Sequence, residues 1–195
     1  MQILLLGKNG QLGWELHRCL QPLGAVTALD TPQIDLARPE TVIPEIQHIQ
    51  PQVIINATAY TAVDKAESAA ELAFAINGSA PGMLAEAAKR SGAAFIHFST
   101  DYVFDGKKGS EYAETDPPNP LNVYGQSKLA GEQAVTQAGA ASLILRTSWV
   151  YSLLRDSFVT KVLAWSRQKP TLSIVSDQIG NPTWARALAE VTAQL

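Results

Sequence analysis

The sequence holds a single cysteine, Cys19, so no intramolecular disulfide can form. One thiol is the usage of a reducing compartment, and Cys19 itself reads as a small apolar residue of a helix. Positive charge is not in excess either. Lys and Arg number 15 against 18 Asp and Glu, a formal net charge of −3, and only two pairs, Lys89-Arg90 and Lys107-Lys108, stand side by side. Without a basic stripe to neutralise phosphates, a nucleic-acid partner is excluded on electrostatic grounds. Long apolar runs are missing as well. Ile3 to Leu6 is too short for the core of a signal peptide and ends in a glycine-rich turn, and nothing approaches the ~20 residues of a membrane helix. The expectation is a cytoplasmic protein that engages neither membrane nor nucleic acid. Internal repeats and low-complexity segments are also absent.

What is present is an ordinary globular composition, 46% hydrophobic and 17% charged over 195 residues, enough for one well-buried domain and part of a second. Short apolar runs alternate with stretches of helical periodicity. Strands are expected over 2–6, 25–29, 53–55, 95–98, 143–145 and 172–175. Helices are expected over 11–20, 39–49, 64–90 (interrupted near Gly78 to Gly82), 124–137 and 158–167, with a last one from Thr183. Alternation of this kind means right-handed βαβ crossovers. The fold class is therefore α/β: a doubly wound, mostly parallel, Rossmann-type sheet with part of a smaller substrate lobe. The expected division is 1–150 for the sheet domain and 151–195 for a partial, truncated smaller lobe, because the chain stops at a helix with no finished terminal element. A stretch rich in Gly, Pro, Asp and Asn from Asp101 to Asn122 follows the fourth strand, on the edge where such sheets bind ligands.

The first strand runs into Gly7-Lys8-Asn9-Gly10-Gln11-Leu12-Gly13, which opens the first helix. In that strand–turn–helix setting Gly7 permits a tight turn, Gly10 lets main-chain N–H groups approach a pyrophosphate, and Gly13 lets helix and sheet pack closely. The helix N-terminus adds partial positive charge. Asp30 ends the second strand, where an acid either accepts from the adenosine ribose hydroxyls or is a solvated turn residue; a carboxylate there repels a 2′-phosphate and leans toward NADH. Asp35 and Leu36 reach the adenine or are a plain loop pair.

Ser99-Thr100-Asp101 closes the fourth strand, and Tyr124 and Lys128 follow at a spacing of four, on one face of a helix. A phenol with pKa about 10 is a weak acid–base group at neutral pH, and a nearby cation is expected to lower that value. Tyr124 is then the proton donor to a carbonyl oxygen that receives hydride, Lys128 tunes the phenol and holds the nicotinamide ribose, and Thr100 hydrogen-bonds the same oxygen.

These residues resemble one family, the dTDP-4-dehydrorhamnose reductases of the extended short-chain dehydrogenases. The likeness runs through Gly7 to Glu15, Asn56 to Glu67 (NATAYTAVDKAE), Ser99 to Gly106 (STDYVFDG), Pro120 to Glu132, Arg146 to Tyr151 (RTSWVY) and Asp177 to Thr183. It implies reduction of the C4 ketone of dTDP-4-dehydro-L-rhamnose to dTDP-L-rhamnose with NADPH or NADH. It implies catalytic roles for Thr100, Tyr124 and Lys128, and contacts to the sugar nucleotide from Asp101 and Trp149, although Trp149 at a strand end reads equally well as core. It implies cofactor contacts for Gly10, Gln11, Leu12, Asp30, Ala59, Tyr60 and Thr61. The sequence departs from the family at Ser152 to Ser157, where a glycine-containing loop is usual. It also departs at Arg186, where some members place a Glu that binds Mg²⁺ at a dimer contact. Mg²⁺ is thus unsupported and no metal ligands are assigned, while a homodimer stays open. Family members run roughly 100 residues further, by typical domain sizes. Two other readings share the pattern: a sugar-nucleotide epimerase or dehydratase, and a non-catalytic regulatory subunit for methionine adenosyltransferase, a partner bound by one branch of the family.

Overall fold

A strand covered on both faces carries apolar residues at every position, and β1 (Gln2–Leu6) does: Ile3, Leu4, Leu5 and Leu6 are all buried. In the computed structural model, which describes residues 1–195, Leu4 and Leu6 enter one core cluster and Ile3 and Leu5 the other. There follow α1 (Gln11–Cys19), β2 (Ala25–Leu29), α2 (Ile43–Ile49), β3 (Val53–Asn56), α3 (Val63–Ala66) and α4 (Ala70–Phe74). The middle of the chain holds α5 (Ala80–Ser91), β4 (Ala94–Thr100), α6 (Val123–Ala138) and β5 (Ser142–Thr147). Then come β6 (Val150–Tyr151), α7 (Phe158–Gln168), β7 (Thr183–Trp184) and α8 (Ala185–Thr192).

Strands β1 to β5 form one parallel sheet in the order β2-β1-β3-β4-β5, the doubly wound α/β architecture that the alternation predicts. Ile46 of α2 and Leu84, Ala85 and Ala88 of α5 pack on one face with Leu4, Leu6, Ile54 and Phe95. Leu16, Leu20 and Ala189 cover the other, against Ile3, Leu5, Ile55 and Phe98. Because every strand runs the same way, the carboxyl ends gather at one edge, and the order reverses between β1 and β3. Ligands of open α/β sheets bind in the crevice at such a reversal.

Several expectations change. The helix expected over 64–90 breaks earlier than Gly78, at residues 67–69, and then runs on as α4, a π-helical turn (Ala75–Ser79) and α5. Pro81 lies in the first turn of α5, where it is tolerated. Gly82 is there for packing, since a Cβ on it would lie 2.7 Å from the Ala134 Cβ of α6. The strand expected over 172–175 is irregular chain, and the second sheet is instead β6 paired in parallel with β7. Strands of two residues carry no periodic signal. Finally, α8 returns to the main sheet, where Ala185 and Ala189 are fully buried and the helix packs on α1. The chain that stands off the sheet therefore ends at Trp184. No helix is long and apolar enough to cross a membrane.

The position of α6 matters most for the site. Its glycines bring it against main chain: a Cβ on Gly125 would collide with the Tyr102 carbonyl oxygen, and one on Gly131 with that of Asn77. This close seating sets Tyr124 and Lys128 beside the end of β4.

Candidate active site

Gly7 leaves β1 with φ +91°, a conformation that glycine adopts without strain. Gly13 faces the same turn, and a Cβ on it would collide with the Gly7 carbonyl oxygen. Gly10 begins α1 without any side-chain acceptor for the first-turn amides, and no acidic residue lies in that turn. The N–H groups of Gln11 and Leu12 thus lack intrahelical partners and lie at the positive end of the helix dipole. This donor set fits the pyrophosphate of a dinucleotide.

Asp30 holds the turn in place: its carboxylate accepts from Asn9 N at 2.8 Å and from Thr31 N at 2.7 Å. Asp35 accepts from Ala37 N and Arg38 Nε, both at 3.0 Å. Leu36 is only 8% exposed and belongs to the core. Its side chain packs into the core, which leaves Leu36 mainly its main chain to offer a ligand.

Gln11 has a second task. Its Nε2 donates to the Val150 carbonyl at 3.2 Å and its Oε1 accepts from Ser152 Oγ at 3.0 Å, so the glycine turn is tied to the start of the segment that leaves the sheet. Ala59, Tyr60 and Thr61 follow β3 in an irregular loop. That loop is pinned by Asn77 of the π turn, whose Oδ1 accepts from Tyr60 N at 2.8 Å. Asn77 Nδ2 donates to the Tyr60 carbonyl and to Ser127 Oγ, each at 3.0 Å. The sequence reading missed Asn77; the one signal available is a lone Asn in an Ala-rich helix, and π turns recur at functional sites.

A cavity of about 710 Å³ opens between the ends of β4 and β5, α6, and the chain from Ser148 to Gln178. It gathers six of the expected residues: Thr100, Asp101, Tyr124 and Trp149, with Thr61 after β3 and Gln11 of the glycine turn. Trp149 adopts φ +46°, a costly conformation for a bulky side chain and one that concentrates at ligand sites. Its ring meets Phe158 edge-on at 5.2 Å between centroids and covers Gly180, where a Cβ would lie 2.7 Å from the indole nitrogen. Trp149 is therefore wall, not core. Ser99 Oγ and Thr147 Oγ1 are buried without any hydrogen-bond partner, and both residues line the cavity. Native structures rarely leave buried hydroxyls unpaired except where a ligand or water completes them. Neither residue was singled out with a role from sequence.

The electrostatics depart from expectation. Burial pushes the Tyr124 phenol up to about 12; the Thr100 hydroxyl beside it pulls the other way, and the Asp101 carboxylate and Tyr102 add to the rise. Lys128 does not meet the phenol. Its Nζ turns inward, donates to the Phe98 carbonyl at 2.7 Å and lies 3.4 Å from His97 Nε2. The spacing of four places both residues on one helix face, but burial against β4 carries the ammonium past the phenol, so the expected lowering is replaced by a rise. Burial also brings Lys128 down to about 8, with Glu132 opposing the fall. Asp101 is raised by burial, against the hydrogen bond from Thr100.

Lys128 consequently weakens the fold. Below pH 8 the ammonium is charged in the folded and unfolded chain alike, and its burial cost is fully present. As pH climbs from about 8 toward 10.5 the folded lysine loses its proton first and the cost fades. The drop corresponds to ~3 kcal/mol, against which the hydrogen bond to Phe98 returns ~1 kcal/mol. Lys128→Met is expected to stabilise the protein by ~1–3 kcal/mol at pH 7 and by less at pH 10, read from urea unfolding midpoints at the two pH values.

The family model described as the RmlD substrate binding domain matches residues 1–195. The dTDP-4-dehydrorhamnose reductase of Burkholderia thailandensis is 50% identical over 193 residues, 99% of this chain and 65% of the relative. A dTDP-4-dehydrorhamnose reductase of Clostridium acetobutylicum has a solved structure that superposes with a TM-score of 0.95 at 37% identity, over 100% of this chain and 69% of that one. The dTDP-4-dehydrorhamnose reductase of Bacillus anthracis, solved in complex with NADP, gives a TM-score of 0.93 at 36% identity, over 98% of this chain and 69% of that one. The chain thus spans about two thirds of the length of the relatives it matches.

Proposed function

We infer the function from one premise: the chain belongs to the RmlD substrate binding domain family. On that premise the protein reduces the C4 ketone of dTDP-4-dehydro-L-rhamnose to dTDP-L-rhamnose with NADPH or NADH. The observation that carries the reading is one cavity in which the Thr100 hydroxyl and a protonated, half-buried Tyr124 phenol meet beside the glycine turn. The NADP complex of the Bacillus anthracis relative supports the choice of cofactor.

A reduced dinucleotide held at the glycine turn would supply the hydride for the carbonyl carbon. Gly7, Gly10, Gln11, Leu12 and Gly13 would hold its pyrophosphate, Asp30 and the main chain of Asp35 and Leu36 would hold its adenosine half, and Ala59, Tyr60 and Thr61 would complete the site. Asp101 and Trp149 hold the sugar nucleotide. Thr100 and Tyr124 share the carbonyl oxygen.

A raised phenol suits this direction of reaction. Reduction needs the acid form, and at about 12 the phenol stays protonated at neutral pH. An alkoxide is a far stronger base than a phenolate, so the proton moves to the substrate oxygen as negative charge develops there. Solvent in the cavity then returns a proton to the phenolate, since Lys128 keeps its Nζ on the Phe98 carbonyl. Residues 1–147 together with α8 serve the dinucleotide, and residues 148–184 form the substrate-facing lobe.

Steady-state oxidation of NADPH and of NADH with dTDP-4-dehydro-L-rhamnose tests this reading. Net oxidation that depends on the sugar nucleotide is expected. Turnover of a sugar nucleotide with no net oxidation, on cofactor that stays bound, would place the protein with the epimerases instead.

A further inference from the structure

Behind the cavity, two basic side chains share one buried space. His97 and Lys128 are both enclosed, with Lys128 Nζ 3.4 Å from His97 Nε2. What lies on the other side of the imidazole decides where its proton sits. Asn56 is paired in register with His97 across β3 and β4. Its Oδ1 accepts from Thr58 N at 3.1 Å and from the Thr58 hydroxyl. A main-chain N–H can only donate, so the Asn56 amide is fixed in orientation and its Nδ2 faces His97 Nδ1 at 3.2 Å. An amide nitrogen also only donates. His97 Nδ1 is therefore the acceptor, and the neutral ring carries its proton on Nε2.

That proton points at Lys128. While Lys128 is an ammonium, two donors face each other. The contact becomes a hydrogen bond only when the amine has lost a proton and offers its lone pair. The other contact of Lys128, donation to the Phe98 carbonyl at 2.7 Å, is open to both forms. The ring cannot escape by protonation, because burial and the neighbouring Lys128 hold His97 well below its usual range.

We propose that His97, locked in the Nε2–H tautomer by Asn56 and Thr58, is a positioning residue that makes the Lys128 ammonium a readier proton donor. The remaining groups around Lys128 do not cancel the effect. Glu132, one turn on along α6, favours the ammonium, but its two carboxylate oxygens are taken by Arg146 of β5 at 2.9 and 2.7 Å. Tyr124, one turn before, is neutral. When the ammonium releases one proton to solvent, the amine that remains accepts from His97 Nε2–H, the ring keeps its own proton, and solvent later restores the ammonium. The proposal concerns the acidity of the lysine alone and can be read without turnover.

Nitrogen-15 NMR of the wild-type imidazole is the first test. His97 is expected to stay neutral from pH 6 to 8 with a bare Nδ1 and a protonated Nε2; a protonated Nδ1 would overturn the proposal. The second test follows the carbon-13 signal of Lys128 Cε through a pH titration, with and without NADPH. A midpoint near 8 is expected in the wild type. In His97→Phe, which keeps a ring in the parallel stack on Phe95, the midpoint should rise by about one pH unit, a tenfold weaker acid. His97→Gln, which still presents an N–H, should return it toward the wild-type value. An unchanged midpoint in His97→Phe would also overturn the proposal, and if that variant does not fold, the wild-type tautomer decides alone. Should reduction of the sugar nucleotide fail while these titrations behave as stated, the proposed function is wrong and the His97 assignment stands.

Discussion

Tyr124→Phe is expected to lower kcat for NADPH-dependent reduction by about 10³-fold, within the usual span for removal of a positioned general acid. The dissociation constant for NADPH should change less than about threefold, well under the factor of ten that 1.4 kcal/mol represents. The substitution deletes one oxygen and leaves the ring in its edge-to-face contact with Tyr102 at 5.6 Å, so α6 keeps its seat. No neighbour can take over the proton. The Thr100 hydroxyl donates to Asp101 Oδ1 at 3.1 Å and accepts from Tyr102 N at 3.2 Å, and Lys128 is turned away toward Phe98. The dinucleotide turn lies on another strand, which is why binding is spared. Steady-state kinetics beside a fluorescence titration of NADPH separate the two effects.

Gly13→Ala should do the reverse and lose the cofactor. Its Cβ would collide with the Gly7 carbonyl oxygen and lie 2.7 Å from Gly7 C and 3.1 Å from Lys8 Cα, all main-chain atoms with no flexible end to yield. Relief requires the turn to move, and the turn is held by Gly7 N on the Leu29 carbonyl at 2.8 Å and Gly10 N on the Gly7 carbonyl at 3.1 Å. NADPH affinity is expected to fall on the order of 100-fold, ~3 kcal/mol, with a further ~2 kcal/mol lost from stability through overpacking. Gly92→Ala is the control. Gly92 also needs a special conformation, φ +72°, but nothing lies within 4 Å of its Cβ position, so that variant should cost stability of order 1 kcal/mol and leave binding alone.

The contrast between these sites reflects what a linear sequence encodes. Residues 3–6 read as a buried strand because burial on both faces leaves an unbroken apolar run, and the glycines before α1 read as a phosphate turn because strand, turn and helix follow in order. Tyr124 and Lys128 were legible as a spacing and as a family motif. The direction of their acidities was not, because it depends on how deeply α6 sits against β4, which Gly125 and Gly131 decide through contacts with Tyr102 and Asn77. His97 stands in an apolar run of β4, where one histidine reads as core. Its meaning comes from Asn56, 41 positions earlier in the chain and beside it only once the sheet has formed. The pairing of β6 with β7 was hidden for a related reason, since two residues offer no period to detect.

The central claim is that hydride passes from the reduced dinucleotide to the sugar carbonyl in a site where Tyr124 supplies the proton. Isotope transfer tests it most directly. With NADPH deuterated at the transferring position of the nicotinamide, one deuterium is expected at C4 of the product sugar for every cofactor molecule oxidised. Product lacking deuterium at C4, or formed without net oxidation of the cofactor, would contradict that claim.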